Sequence, residues 1–229
     1  DPRTQVPATL FYARNGEGNT LLHNIGGLRF EDVTKRAGVR DGGLALGVAW
    51  ADVDGDGYPD LYVANDFGRN TLFHNNGNGT FSDVTAKAGA LDFGYGMSTS
   101  FGDVNGDGKL DLYVSNVHSG QRWYGQPSTL YRYLVTSFRE GTFFEDLPIY
   151  REIYRLAGKD WSKYGHQVVK GNSLLINDGK GNFTDVSEAT GTNPFGWYWT
   201  SLMFDFDNDG DLDLYAGDGW ISGKIHDDL

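Results

Sequence analysis

The chain has 229 residues and a formal net charge of -12, and it contains 33 glycines, 14% aromatic residues and no cysteine. This charge argues against binding to nucleic acid or to an anionic membrane surface. The sequence has no run of about 18 apolar residues that would predict membrane insertion, and the lack of cysteine excludes disulfide bonds. Abundant glycine and aromatic residues favour short strands joined by tight turns.

A repeat of about 51 residues organises the sequence. NTLLHNIGGLRFEDVTKRAG, which begins at Asn19, returns at Asn70 as NTLFHNNGNGTFSDVTAKAG and at Asn172 as NSLLINDGKGNFTDVSEATG, with spacings of 51 and 102 residues. Alternation and turn residues predict four strands in each repeat, which in the second repeat are LGVAWADV, DLYVAN, TLFHN and GTFSDVT. Four short antiparallel strands in about 40 to 50 residues are typical of a β-propeller blade. We therefore predict an all-β fold that forms a partial propeller.

The predicted blades follow one another within a single domain over residues 1–229. They are a partial blade at 8–34, a blade at 44–85, a blade built from 95–117 and 171–187, and a partial blade at 197–216. Incomplete blades have unpaired strand edges, which invite pairing with another chain. Head-to-tail self-association into a ring or filament is therefore one expectation. The other is that the chain is a fragment of a longer propeller.

An acidic loop lies between the first and second predicted strands of three repeats. The loops read DVDGDGYPD from Asp52, DVNGDGKLD from Asp103 and DFDNDGDLD from Asp205. Their carboxylate or amide side chains stand at positions 1, 3, 5 and 9, where they would repel one another unless a cation lay among them. Calcium takes about six to eight oxygen ligands, and in such loops a backbone carbonyl at position 7 adds to the side chains. The predicted ligands are the carbonyl groups of Tyr58, Lys109 and Asp211 and the side chains of Asp52, Asp54, Asp56, Asp60, Asp103, Asn105, Asp107, Asp111, Asp205, Asp207, Asp209 and Asp213.

About three Ca²⁺ sites are thus predicted, and they differ from EF-hand sites. An EF-hand loop requires glutamate at position 12, where this chain has Val63, Val114 and Ala216. Solvated turns without metal and magnesium sites are the alternatives, although magnesium prefers fewer carboxylates and more water. Calcium loops of this kind indicate calcium-rich surroundings. We therefore expect a secreted or extracellular protein, or one at a bacterial cell surface or in the periplasm.

An insert over residues 121–170 interrupts the repeat. It has no acidic loop, and its pattern predicts short helices at 128–140 and 148–157. Inserts that project from a scaffold often carry function, so a helical, aromatic-rich insert is a candidate ligand platform. The alternative is that its rings only pack against the blades. Its aromatic residues include Tyr124, Tyr131, Tyr133, Phe138, Phe143, Phe144, Tyr150, Tyr154, Trp161 and Tyr164.

The strand and loop motifs together resemble a known family. A glycine-rich strand followed by DVDGDGYPDLYV resembles the FG-GAP, or VCBS, repeats of integrin α-subunit propellers. The longer unit, NTLFHNNGNGTFSDVTAKAG followed by DVNGDGKLDLYV, is similar to the cartilage acidic protein-like family. The resemblance covers about residues 8–120 and 171–228, and it implies a β-propeller whose loops bind calcium structurally.

The expected function is that of an extracellular calcium-binding structural or adhesion module with a protein or glycan ligand at the cell surface or matrix. His23 and His74 stand at one position of successive repeats, so we interpret them as strand side chains rather than catalysts. The alternative is a carbohydrate-binding protein or polysaccharide lyase with its site at the insert. Its acid–base candidates would be His118, Lys163 and His166. The N-glycosylation sequons at Asn78 and Asn182 fall in turns where asparagine is expected in any case, so the turns are sufficient to explain them.

Overall fold

The computed structural model describes residues 16–66, 68–92, 95–116, 171–193 and 198–218. These residues form antiparallel sheets and two helices of a single turn, which confirms the predicted all-β class. None of the helices described is long or apolar enough to cross a membrane. The elements are β1 (Leu22–Gly26), β2 (Arg29–Asp32), α1 (Thr34–Ala37), β3 (Ala45–Ala51), β4 (Asp60–Asn65), β5 (Thr71–Asn75), β6 (Phe81–Asp83), β7 (Gly96–Gly102), β8 (Asp111–Asn116), β9 (Ser173–Asn177), β10 (Phe183–Asp185), α2 (Ser187–Thr190), β11 (Tyr198–Phe204) and β12 (Asp213–Asp218).

Two of the sheets have four strands each, in the order β3-β4-β5-β6 and β7-β8-β9-β10. We call them sheet 2 and sheet 3. Their registers are equivalent: Tyr62 lies opposite Leu72 in sheet 2, and Tyr113 lies opposite Leu174 in sheet 3. The repeat in the sequence is therefore a repeat in strand pairing.

Two further sheets have two strands each, β1-β2 and β11-β12. By their place in the repeat, β1 and β2 are third and fourth strands, whereas β11 and β12 are first and second strands. The second strand predicted for the first partial blade lies before residue 16, outside the described residues. Strands β8 and β9 pair directly, so the connection that contains the predicted insert lies between two neighbouring strands. The insert itself, at 121–170, lies outside the described residues.

The apolar core lies between neighbouring sheets. Tyr62 and Leu72 of sheet 2 belong to one buried cluster with Leu112, Val114 and Leu175 of sheet 3. The alternate side chains of sheet 2 point to its other face, where Leu61, Val63 and Phe73 cluster with Val33, Ala37 and Val39. All six residues of β4 are buried for this reason. Each large apolar side chain that is fully buried contributes about 1.5–3 kcal/mol, so packing between sheets is a major source of stability.

The first strands of successive sheets lie against one another, because β3 contacts β7 and β7 contacts β11. Glycine makes one of these contacts possible. A Cβ atom added at Gly47 would lie 2.8 Å from the Cα atom of Ser98. Ser98 also contacts β11, because the backbone N–H of Ser201 donates to the Oγ atom of Ser98 over 3.3 Å. The close approach of these strands is the packing expected of propeller-type blades.

The fourth strands are shorter than predicted. The sequence GTFSDVT suggests a strand through Thr85, but β6 ends at Asp83. The Asp83 carboxylate accepts hydrogen bonds from both the backbone N–H (3.1 Å) and the hydroxyl (2.6 Å) of Thr85, which turns the chain out of the sheet. The same local turn precedes α1 and α2, two short helices that were not predicted from the sequence.

Candidate metal-binding loops

Each acidic loop closes the hairpin between the first and second strands of its sheet. We call residues 52–60 loop 1, residues 103–111 loop 2 and residues 205–213 loop 3. The residue before each loop pairs with the aspartate at position 9, namely Ala51 with Asp60, Gly102 with Asp111 and Phe204 with Asp213. An ion in a loop would therefore act directly on a strand pair.

The aspartate at position 1 lies inside the turn of the loop. Asp52 accepts hydrogen bonds through Oδ1 from the N–H groups of Gly55 (2.8 Å) and Asp56 (3.1 Å), and through Oδ2 from that of Gly57 (2.9 Å). The bonds to positions 5 and 6 recur in the other two loops. They join Asp103 to Asp107 (3.0 Å) and Gly108 (2.7 Å), and Asp205 to Asp209 (3.2 Å) and Gly210 (3.0 Å).

Position 6 of each loop requires glycine for a steric reason. The φ angles of Gly57, Gly108 and Gly210 are 88°, 80° and 97°, a region that side chains disfavour. The preceding aspartate accepts a hydrogen bond from the N–H of position 7, over 2.8 Å in loop 1, 3.0 Å in loop 2 and 2.9 Å in loop 3. The backbone is thus wrapped around the acidic side chains, as in loops that bind a hard cation.

The aspartate at position 9 ties the loop to the rest of its sheet. Asp60 accepts the N–H of Val53 over 3.2 Å and that of Asn75, in the third strand, over 2.8 Å. Asp111 accepts equivalent bonds from Val104 and Asn177, at the same distances. Burial raises the pKa of Asp60 and of Asp111 above the usual value, although these hydrogen bonds act in the opposite direction. A cation nearby would favour the ionised form of both carboxylates.

Several acidic side chains lie close enough together to hold a metal ion. In loop 1, single oxygen atoms of Asp52, Asp54 and Asp56 all lie within 4.8 Å of one another, and Asp205, Asp207 and Asp213 do the same in loop 3. Loop 2 has an amide, Asn105, in place of the carboxylate at position 3. The carbonyl groups predicted as ligands at position 7 stay a prediction.

Loop 2 also contains a cation of its own. Lys109 Nζ lies 3.2 Å from Asp107 Oδ2. Partial desolvation acts to raise the pKa of Asp107, but hydrogen bonds and the charge of Lys109 outweigh it and lower the pKa. A divalent ion would have to compete with this ammonium group. We therefore expect loop 2 to bind a cation less tightly than loop 3.

One side chain at loop 1 was not predicted as a site residue. His74 lies on β5, as expected of a strand side chain, but its Nδ1 atom is 3.0 Å from Asp60 Oδ1 and 3.5 Å from Asp54 Oδ2. The signal was present in the sequence, because pairing of the second and third strands brings this position beside position 9. The lyase candidates His118, Lys163 and His166, together with the aromatic residues of the insert region, lie outside the described residues.

Comparison with known proteins gives consistent matches. The family model described as FG-GAP-like repeat matches residues 9–63, 52–114 and 160–216. Over 214 residues the chain is 28% identical to cartilage acidic protein 1 of Mus musculus, an alignment that covers 89% of this chain and 33% of the relative. The Homo sapiens protein of that name gives 28% identity over 214 residues, with 89% and 32% covered, and the Xenopus tropicalis protein 26% over 184 residues, with 76% and 28% covered. The chain thus spans about a third of the length of these relatives.

Proposed function

The chain belongs to the FG-GAP-like repeat family, and we propose that its three acidic loops bind calcium ions that stabilise an extracellular structural or adhesion module. The observation that carries this proposal is the recurrence of one loop geometry. In all three loops the position-1 aspartate accepts the N–H groups of positions 5 and 6. Loops with unrelated structural roles would not be expected to share this arrangement.

Calcium is the cation that best suits these ligands. Each of the three loops has carboxylate or amide side chains at four positions. Together with the carbonyl group predicted at position 7, they suit the six to eight ligands of calcium better than the strict octahedron of magnesium. Neutralising the carboxylates would remove their mutual repulsion at the tip of each hairpin. Through Asp60 and Asp111, the effect would extend to the third strand of each four-stranded sheet.

We also propose an extracellular location, because low-affinity calcium sites are filled where calcium is abundant. The relatives bear the name cartilage acidic protein, which agrees with a matrix setting. The ligand would be a protein or a glycan at the cell surface or matrix, and the module would act by binding rather than by catalysis. Glycan-array and lyase assays with and without residues 121–170 would test the alternative, a carbohydrate-binding protein or polysaccharide lyase.

Self-association is a further part of the proposal, and exposed apolar side chains support it. Leu46, Val48 and Trp50 stand on the face of β3 opposite to Gly47, and each is about half exposed. Leu202 and Tyr215, paired across β11 and β12, are likewise exposed at 54% and 57%. We propose that these faces pack head to tail between two copies, as β3, β7 and β11 pack within one chain. Sedimentation of the chain at several concentrations tests this, and a monomer throughout would contradict it.

Calorimetric titration of chelator-treated protein with calcium tests the main proposal. We expect three sites, with one lost in each of Asp56→Asn, Asp107→Asn and Asp209→Asn. Binding to the native state alone stabilises by about 2.7 kcal/mol per site at a hundredfold excess over Kd. Asp32→Asn is a matched control, because Asp32 accepts the backbone N–H and the hydroxyl of Thr34 in a turn that contains none of the loop residues. A flat titration and a melting temperature that chelator changes by less than about two degrees would contradict the proposal.

A further inference from the structure

We propose that His74, Asp54 and Asp60 form a binding site for one zinc ion, or a similar divalent transition-metal ion, at the edge of loop 1. The site would differ from the calcium sites because it contains an imidazole nitrogen. It shares Asp54 and Asp60 with the calcium site proposed at loop 1, so zinc and calcium would compete there. The zinc site goes beyond the proposed function, and it does not depend on calcium binding in loops 2 and 3.

The distances between the three side chains suit such an ion. Zinc binds histidine nitrogen and carboxylate oxygen at about 2.0–2.2 Å, so neighbouring ligands of a tetrahedral ion lie about 3.3 Å apart. His74 Nδ1 lies 3.0 Å from Asp60 Oδ1 and 3.5 Å from Asp54 Oδ2, values on either side of that separation. One ligand atom from each of the three side chains lies within 4.8 Å of the others. Small rotations of the side chains would therefore complete the site.

The repeat shows that the fold does not need this histidine. In sheet 3 the equivalent position holds Ile176. Asp111 nevertheless accepts backbone bonds of 3.2 and 2.8 Å, the same lengths as those that Asp60 accepts. His74 is therefore an addition to a loop that is already held in place. A metal-ligating role explains the addition, since imidazole suits zinc and similar ions better than calcium.

There is also room for the remaining ligands. A cavity of about 320 Å³ is lined by Asp54, Asp60 and His74 from sheet 2 and by Lys180 from sheet 3. The Asp60 side chain is fully buried, whereas those of Asp54 and His74 are 25% and 30% exposed. Three protein ligands with space beside them match the open type of zinc site, in which water or another small ligand takes the fourth position.

Titration of the chelator-treated and dialysed chain with zinc chloride in calcium-free buffer tests the proposal, because calcium in loop 1 would occupy Asp54 and Asp60. We expect the whole chain to bind one zinc ion in calorimetry, and His74→Ile to weaken this binding by about tenfold or more. Isoleucine is chosen because sheet 3 carries it at the equivalent position. His23→Ile is the matched control, since His23 has the same repeat position but is exposed on β1. It should leave the affinity unchanged.

Nitrogen NMR of the imidazole supplies a readout that a purely structural role would not move. Zinc should shift the Nδ1 resonance of His74. An affinity in His74→Ile equal to that of the wild type, or no zinc binding by a wild type that still binds calcium, would overturn the proposal. If His74→Ile fails to fold, His74→Gln replaces it in the comparison. Zinc binding by a protein whose loops bind no calcium would contradict the proposed function and support this site.

Discussion

The side chain of Asn177, on the third strand of sheet 3, donates a hydrogen bond of 2.8 Å to the backbone carbonyl of Val53 in loop 1 of the neighbouring sheet. The same amide nitrogen lies 3.1 Å from the carbonyl of Leu110 in loop 2, to which it also donates. Asn177 is 2% exposed. One buried side chain therefore connects two candidate calcium loops on adjacent sheets.

We expect Asn177→Ala to lower the free energy of unfolding by roughly 1–3 kcal/mol, because it leaves the buried carbonyl group of Val53 without its donor. Asn75→Ala is the control. Asn75 has the equivalent place in sheet 2, where it donates to the carbonyl of Pro59 in its own loop. It should cost about 0.5–1.5 kcal/mol. Urea denaturation measures both, and equal losses would contradict a role for the bond between sheets.

Contact between the first strands gives a second prediction. A Cβ atom at Gly47 would lie 2.8 Å from Ser98 Cα and 3.0 Å from the carbonyl oxygen of Met97, both of them backbone atoms that can move only if a strand shifts. Gly47→Ala should therefore cost about 1–3 kcal/mol. At Gly102 the nearest atoms are the Sδ atom of Met203 and Cδ1 of Leu212, at 2.6 and 2.9 Å.

Flexible side chains such as methionine can give way, so Gly102→Ala is the matched control and should cost less than about 1.5 kcal/mol. The two variants are compared by urea unfolding at constant calcium, with the slope against urea concentration checked for a change in the exposed surface. A larger loss in Gly102→Ala than in Gly47→Ala would show that close packing of β3 on β7 is not what the glycine at 47 permits.

A third prediction concerns pH. Arg69 forms a bidentate ion pair with Asp83, in which Nη1 and Oδ1 are 3.4 Å apart. Burial acts to raise the pKa of Asp83, but hydrogen bonds from Arg69 and Thr85 and the charge of Arg69 outweigh it and hold the pKa below its usual value of 3.8. Because the folded-state pKa is the lower one, ionised Asp83 stabilises the fold above about pH 4, and this contribution is lost as the pH falls through the folded-state value.

Carbon NMR titration of the Asp83 carboxyl group measures this directly. We expect a midpoint below 3.8 in the wild type and a higher one in Arg69→Met. The stability difference between the wild type and Asp83→Asn should narrow as the pH falls below about 4. A wild-type midpoint at or above the usual aspartate value would rule out the ion pair as a source of stability.

Most of the strand order could be predicted from sequence because each repeat carries local signals. DLYVAN and TLFHN became β4 and β5 with the predicted bounds. Alternation fixes which side chains share a face, and acidic glycine-rich turns mark where hairpins close. The predicted ends of the fourth strands were wrong. The strand β6 is ended by a side-chain hydrogen bond from Thr85 to Asp83, and strand propensity does not include such a bond.

Contacts between distant parts of the chain were the harder part of the site. His74 was interpreted only as a strand side chain because its approach to Asp54 depends on the register of β5 and the turn of the loop. The hydrogen bond from Asn177 to Val53 joins residues 124 positions apart. Nothing in NSLLIN, the sequence that contains Asn177, distinguishes it from a copy of the repeat without such a contact. Repeats predict what their copies share, whereas contacts between copies follow from how the sheets pack.

The last prediction separates the structural role of loop 1 from ion binding. Asp60 is buried and accepts the N–H groups of Val53 and Asn75. Asp56 is exposed, and within the described part of the chain its carboxylate accepts the N–H group of Tyr58 alone. In chelator, Asp60→Ala should still cost about 1–3 kcal/mol because it leaves buried donors unpaired. Asp56→Ala should change stability by less than about 0.5 kcal/mol there.

In saturating calcium, Asp56→Ala and Asp60→Ala should both lose the stabilisation that an ion in loop 1 provides. That stabilisation is about 2.7 kcal/mol at a hundredfold excess over Kd. The Asp56→Ala defect should therefore appear only with calcium present, while the Asp60→Ala defect should appear in both conditions and grow with calcium. Melting curves of the wild type and both variants, each recorded with calcium and with chelator, measure this. If Asp56→Ala were equally destabilised in both conditions, its carboxylate would act through the fold of the loop rather than through a bound ion.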